Sequence, residues 1–225
     1  MYEVLLMQKY FIMIVTIGSN KGGTGKTTTA SNLAVALAVQ NKDVCLVDAD
    51  FQRSSSKWHK DREEANLLPI ITLIEKYENI SQTLNTLKPK FDYIIVDVAG
   101  RNSREMITSL SVSDILIAPH QASQLDLDTL HELQNQIIRI SDLNPHLKSY
   151  ILHTMASTNS LVRDKEKQEF REYLKDFKEF SLLNSCCHYR KIYKDVMPFG
   201  KSVIEENNEI AKNEIMSIIK EVFYI

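Results

Sequence analysis

Lys21-Gly22-Gly23-Thr24-Gly25-Lys26-Thr27 decides how the rest of this 225-residue chain is read. The stretch lies between an apolar run, Ile12 to Ile17, and a helix-forming run, Thr27 to Gln40. A glycine-rich turn that joins a strand to a helix leaves successive backbone N–H groups pointing outward. Together with the positive end of the helix dipole, those donors make a cradle for phosphate oxygens. Gly22, Gly23, Thr24, Gly25 and Thr28 belong to that cradle. Lys26 is placed to reach the β- and γ-phosphates, and the Thr27 hydroxyl to ligate Mg²⁺. Measured against G-x-x-x-x-G-K-[ST], Asn20 stands where the first glycine belongs, and a second lysine, Lys21, follows it. Lys21 is too far from its own chain's Mg²⁺ position to duplicate Lys26, so it calls for a separate role.

Two further segments complete a nucleotide site. Val44-Cys45-Leu46-Val47 reads as a buried strand ending in Asp48-Ala49-Asp50-Phe51-Gln52. Tyr93-Ile94-Ile95-Val96 reads as another, ending in Asp97 and followed by Ala99-Gly100. Residues just past the C-terminal ends of strands line the ligand crevice of an open parallel sheet. Asp48, Asp50 and Asp97 are therefore expected to converge on the edge that carries the phosphate loop. One aspartate at a strand end is ordinarily a solvated turn residue or a helix cap. Three beside such a loop suggest Mg²⁺ ligation and orientation of an attacking water.

The remaining periodicity fits the same architecture. Strands are expected at Ile70–Leu73, Tyr93–Val96, Ile115–Ala118, Tyr150–Leu152 and Phe180–Leu183. Helices are expected at Ser54–Ala65, Ile80–Leu87, Ser103–Ser111, Leu125–Ile140, Leu161–Phe177 and Glu205–Phe223. Such alternation predicts an α/β fold: a mainly parallel, doubly wound sheet with helices on both faces. One domain over 13–225 is expected, with residues 1–12 either an extension or the product of a start upstream of Met13. A net charge of −2 with 25% charged residues gives no global field toward nucleic acid, so any such contact must be a local patch. The three cysteines form no disulfide framework and lack zinc-site spacing. No apolar run approaches membrane-spanning length, and the N-terminus lacks the layout of a signal peptide.

The three segments resemble the deviant Walker A, A′ and B motifs of the ParA/MinD superfamily of P-loop NTPases, most of all the small plasmid-partition ParA proteins of ParF type. Trp58, Val98-Ala99-Gly100, and Arg190-Lys191-Ile192-Tyr193 ahead of Gly200-Lys201-Ser202-Val203 extend the likeness. Phe51 departs from it, since proline is usual there. The resemblance implies an ATP hydrolase using ATP and Mg²⁺, slow alone and stimulated by a partner. Lys21 matches the signature lysine that crosses a homodimer interface to the other copy's nucleotide. Lys26 acts on the terminal phosphates, and Asp50 matches the residue associated with the hydrolytic water. Asp97 matches the Walker B aspartate, with Asp48 beside it as a further Mg²⁺ partner. The implied partners are a second copy with ATP, a ParB/ParG-like centromere-binding protein and non-specific DNA, in a cytoplasmic protein that does not bind membrane. DNA contact is assigned to Arg190, Lys191 and Lys194, opposed in sequence by Asp195. The adenine is expected between Thr154-Met155 and the Pro198–Val203 loop. The alternative is a MinD-like positioning ATPase bound to membrane through Glu209–Phe223. That segment's polar face mixes Glu209, Glu214 and Glu221 with Lys212 and Lys220, which favours docking on the domain's own core.

Overall fold

The computed structural model describes residues 12–100, 103–122 and 129–223. Its strands are β1 (Met13–Ile17), β2 (Val44–Ala49), β3 (Thr72–Glu75), β4 (Tyr93–Val98), β5 (Ile115–His120), β6 (Lys148–Ala156) and β7 (Ser181–His188). They form one sheet in the order β3-β2-β4-β1-β5-β6-β7, and every neighbouring pair is parallel.

Strand alternation divides the apolar side chains between two cores. Val15 and Ile17 of β1, Leu46 of β2 and Ile95 of β4 face one core. Ile14, Cys45, Val47, Ile94 and Val96 face the other. A strand buried on both sides must be apolar at nearly every position, which is why the central runs carry no polar alternation. The first core is covered by α1 (Lys26–Ala38), α2 (Ser54–Glu64) and α7 (Glu209–Phe223). The second is covered by α3 (Ser81–Leu87), α4 (Arg104–Leu110), α5 (Leu130–Ser141) and α6 (Ser160–Leu174). In α1, Ala30, Ala34, Ala36 and Ala38 are all buried, and their small side chains let the helix lie between the sheet and α7. From β1 the chain first builds the sheet to one side and later, with β5, to the other. The phosphate loop leaves β1 at that switch point, where such sheets open a crevice.

The expected α/β architecture is the observed one, with local differences. Strand β3 sits two residues later than expected, because Thr72 pairs with Cys45 and leaves Ile70 82% exposed outside the sheet. Strand β7 continues past Leu183 to His188 through a register shift: Ile151 pairs with Leu182, but His153 pairs with Cys186. The ladder N–H groups freed at Asn184 and Ser185 donate instead to the Glu221 carboxylate, at 2.7 and 2.8 Å. The last helix begins at Glu209, not Glu205. Ser202 caps a separate turn, Val203–Glu205, in a reciprocal capping box. The predicted start of the Leu125–Ile140 helix lies outside the described residues, as does the N-terminal extension except Ile12. Among the described residues no helix is long and apolar enough to cross a membrane.

Candidate nucleotide site

Gly23 and Gly25 take φ of 78° and 93°, left-handed backbone that glycine adopts without a Cβ clash, and α1 begins at the next residue. The loop is anchored from two sides. Ser19 Oγ and Thr24 Oγ1 lie 2.9 Å apart, and Thr154 Oγ1 at the end of β6 donates to Thr24 O at 2.8 Å. Lys26 Nζ turns back to donate to Lys21 O at 2.7 Å. Burial lowers the Lys26 ammonium's affinity for its proton, and Asp97 and Asp50 oppose that shift. Gly100 seats against the same two lysines. A Cβ there would stand 2.6 Å from Lys26 Nζ and 2.7 Å from Lys21 O, so only glycine fits.

Asp48 and Asp97 are register partners at the ends of β2 and β4, but their carboxylates have different work. Asp97 Oδ2 accepts from Thr27 Oγ1 at 2.7 Å and from Ser55 Oγ at 2.8 Å. Its Oδ1 is buried and has no hydrogen-bond partner among the described residues. Burial raises the Asp97 carboxyl to about 7, against the pull of Thr27, Ser55 and Lys26. Asp48 turns into the start of α2 instead: Oδ2 accepts from Ser56 N at 2.7 Å and Ser56 Oγ at 2.6 Å, and Oδ1 from Asp50 N at 3.1 Å. It thus satisfies an orphan donor in the helix's first turn. Asp50 is half-buried, and its Oδ1 accepts from Gln52 N at 2.9 Å, closing a turn. Beyond it, Phe51 is 68% exposed and stacks on Tyr77, with ring centroids 4.5 Å apart.

A buried carboxylate oxygen without a partner, beside a threonine hydroxyl at the mouth of an anion cradle, is a donor set that suits Mg²⁺. That ion draws on one or two protein oxygens and takes the rest from water and phosphate.

Past the loop, a cleft of about 100 Å³ opens beside Gly25 and Thr28 and runs between Met155, Tyr189 and Tyr193. A second register shift shapes it. Between His153 and Ala156, strand β6 carries more residues than β7, and Met155 takes φ of 53°. A bulge of this kind re-aims side chains at a site's edge. Thr154 and Met155 line this cleft, and Pro198–Val203 does not. That loop is held against α1 and α2: Trp58 Nε1 donates to Lys201 O at 3.0 Å, and Asn32 Oδ1 accepts from Ser202 Oγ at 2.7 Å and from Val203 N at 2.9 Å. At Gly200, with φ of 64°, a Cβ would come within 2.1 Å of Arg62 N, so the contact is backbone to backbone.

The basic cluster has a second acidic neighbour besides Asp195. Arg190 is opposed by more than Asp195, since its Nε donates to Glu214 Oε1 at 2.7 Å. Lys191 is 88% exposed and pairs with Asp195 at 3.5 Å, and Lys194 Nζ lies over the Tyr189 ring at 4.9 Å. Sequence reasoning missed Ser55, Thr154 as an anchor of the loop, and the His188–Tyr193 wall of the cleft. Only Ser55 carried a local signal, in the serine run directly after the Asp48–Gln52 turn.

Residues 15–213 match the family model of the CobQ/CobB/MinD/ParA nucleotide binding domain. The chain is 29% identical over 153 residues to an uncharacterised ATP-binding protein of Methanocaldococcus jannaschii, covering 53% of this chain and 58% of that one. It therefore spans less than two thirds of that relative. It is 27% identical over 225 residues to the sporulation initiation inhibitor protein Soj of Bacillus subtilis, covering 82% of this chain and 83% of Soj. Its fold is similar to that of a Borrelia burgdorferi protein assigned to plasmid partition and solved with AMPPNP. That match has a TM-score of 0.73 at 22% identity and covers 95% of this chain and 99% of the other. With its phosphate loop, Thr27–Asp97 pair and parallel sheet in place, the chain belongs to the CobQ/CobB/MinD/ParA family of nucleotide-binding domains.

Proposed function

We propose that the protein is a ParA-type partition ATPase. It hydrolyses ATP to ADP and phosphate as a homodimer on DNA when a centromere-binding partner of ParB/ParG type stimulates it. The observation that carries the reading is the hydrogen-bonded pair of buried Asp97 and half-buried Thr27, with Asp97 Oδ1 unpartnered, beside Lys26 at the foot of the phosphate loop. Loop N–H groups bind the phosphates, and Lys26 exchanges its backbone acceptor, Lys21 O, for phosphate oxygens. Thr27 and Asp97 would hold Mg²⁺, while Asp48 keeps the Asp50 turn in shape from behind. When bound, the ion offsets negative charge on the oxygens of the departing phosphoryl group. Asp50 orients the attacking water, and Lys21 adds a cation from the second copy where charge develops.

DNA contact falls to Lys191 and Lys194, which are exposed, whereas Arg190 is half-buried against Glu214. Non-specific backbone contact needs only such outward cations. The membrane-binding alternative loses its anchor, because Ile215, Ile218, Ile219, Val222 and Phe223 of α7 are buried in the domain's own core.

A phosphate-release assay with ATP and Mg²⁺ tests the reading, run alone, with plasmid DNA, and with DNA plus the centromere-binding partner. Slow release that rises with partner and DNA is expected, and Asp50→Ala should abolish the rise while nucleotide binding persists. Equal turnover by wild type and Asp50→Ala would remove Asp50 from the mechanism. No release under any condition would overturn hydrolysis.

A further inference from the structure

Four hydrogen bonds converge on one carboxylate outside the phosphate loop. Glu214, on α7, accepts at Oε1 from Arg190 Nε and His188 Nδ1, both at 2.7 Å. At Oε2 it accepts from Tyr193 OH at 2.8 Å and His188 N at 3.2 Å. Its side chain is only 9% exposed. Arg190 Nε and His188 N can only donate, one to each oxygen, so the site suits a group that accepts on both oxygens and lets Tyr193 OH and His188 Nδ1 donate as well. An ionised carboxylate meets that requirement, whereas an amide of the same shape brings two N–H donors of its own. A buried carboxylate is also costly unless it is paired and hydrogen-bonded, so the convergence stabilises both sides of the contact.

The three residues it holds occupy one short segment, His188 to Tyr193, and all three line the cleft that continues from Gly25 and Thr28. Nothing in this network touches Lys26, Thr27 or Asp97. The network therefore governs the part of the site beyond the phosphates.

We propose that Glu214 is a positioning residue for the nucleoside end of the nucleotide, fixing the His188–Tyr193 wall so that the cleft takes adenosine without having to order that wall first. The inference rests on the ATP reading of the site. A wall that is already ordered lowers the entropy lost on binding, which is where such a residue gains affinity.

The test compares ATP with inorganic tripolyphosphate, both with Mg²⁺, by calorimetry on the full chain. Tripolyphosphate uses the loop but not the wall. Glu214→Ala is expected to weaken ATP binding by at least about tenfold while leaving tripolyphosphate within about twofold of wild type. The isosteric Glu214→Gln keeps the volume and should fall between the two, and it carries the same comparison if the alanine variant does not fold by circular dichroism. ATP affinity unchanged in the variants, or a loss equal for both ligands, would overturn the inference. Wild type that binds ATP no more tightly than tripolyphosphate would overturn the ATP reading itself and the positioning role with it. The two failures are therefore separable.

Discussion

Asp97 carries a proton balance that differs between the folded and unfolded chain. Its carboxyl sits at about 7 when folded against an ordinary 3.8, chiefly because burial penalises the charged form. Between those values the folded state binds more protons than the unfolded one. This contribution to stability is therefore fully present below the lower value and is lost as pH rises toward the higher one. At about 1.4 kcal/mol per unit, the loss is on the order of a few kcal/mol. Nucleotide-free protein should accordingly melt at a lower temperature at pH 7.5 than at pH 5.5, and Asp97→Asn should flatten the part of that slope due to this group. Parallel melting curves for the two proteins across the window would remove the assignment. At this scale the sequence was legible where a side chain's role follows from its neighbours along the chain, as for Lys26 and Thr27. It was illegible where the role needs partners far apart, as with Glu214 and His188, which lie on different elements joined only by folding.

The loop after β7 shows why elements are harder to read than motifs. Lys201 and Ser202 look like a site segment, yet the loop acts as a bolt between helices. Arg62 of α2 is 2% exposed and donates to Glu205 Oε1 and Oε2 at 2.9 and 3.0 Å, to Gly200 O at 3.1 Å and to Pro69 O at 3.0 Å. Removing the carboxylate would leave a buried guanidinium without its counter-charge. Glu205→Ala should therefore cost about 3–5 kcal/mol in chemical denaturation, far more than an exposed ion pair such as Lys60–Glu64. A loss under about 1 kcal/mol would mean that the carbonyl acceptors suffice. The central strands were plain because burial on both faces demands continuous apolar runs. Strands β3 and β7 were misjudged because edge pairing and bulges depend on register, and the Glu221 carboxylate that satisfies the β7 bulge is supplied from another element.

On the scale of the whole molecule, the fold brings to one sheet end a glycine-rich loop carrying two lysines, Lys21 and Lys26, and a carboxylate–hydroxyl pair suited to Mg²⁺. Under the proposed function, Lys21 completes the site of a second copy only when a triphosphate is bound. Light scattering on a sizing column, with AMPPNP or ADP and Mg²⁺, measures this directly for wild type and Lys21→Ala. Wild type with AMPPNP should run at about twice the 25.9 kDa chain mass and with ADP as a single chain, while Lys21→Ala should stay single with either nucleotide. A wild-type protein that remains a single chain with AMPPNP, or a Lys21→Ala variant that dimerises as wild type does, would contradict the account.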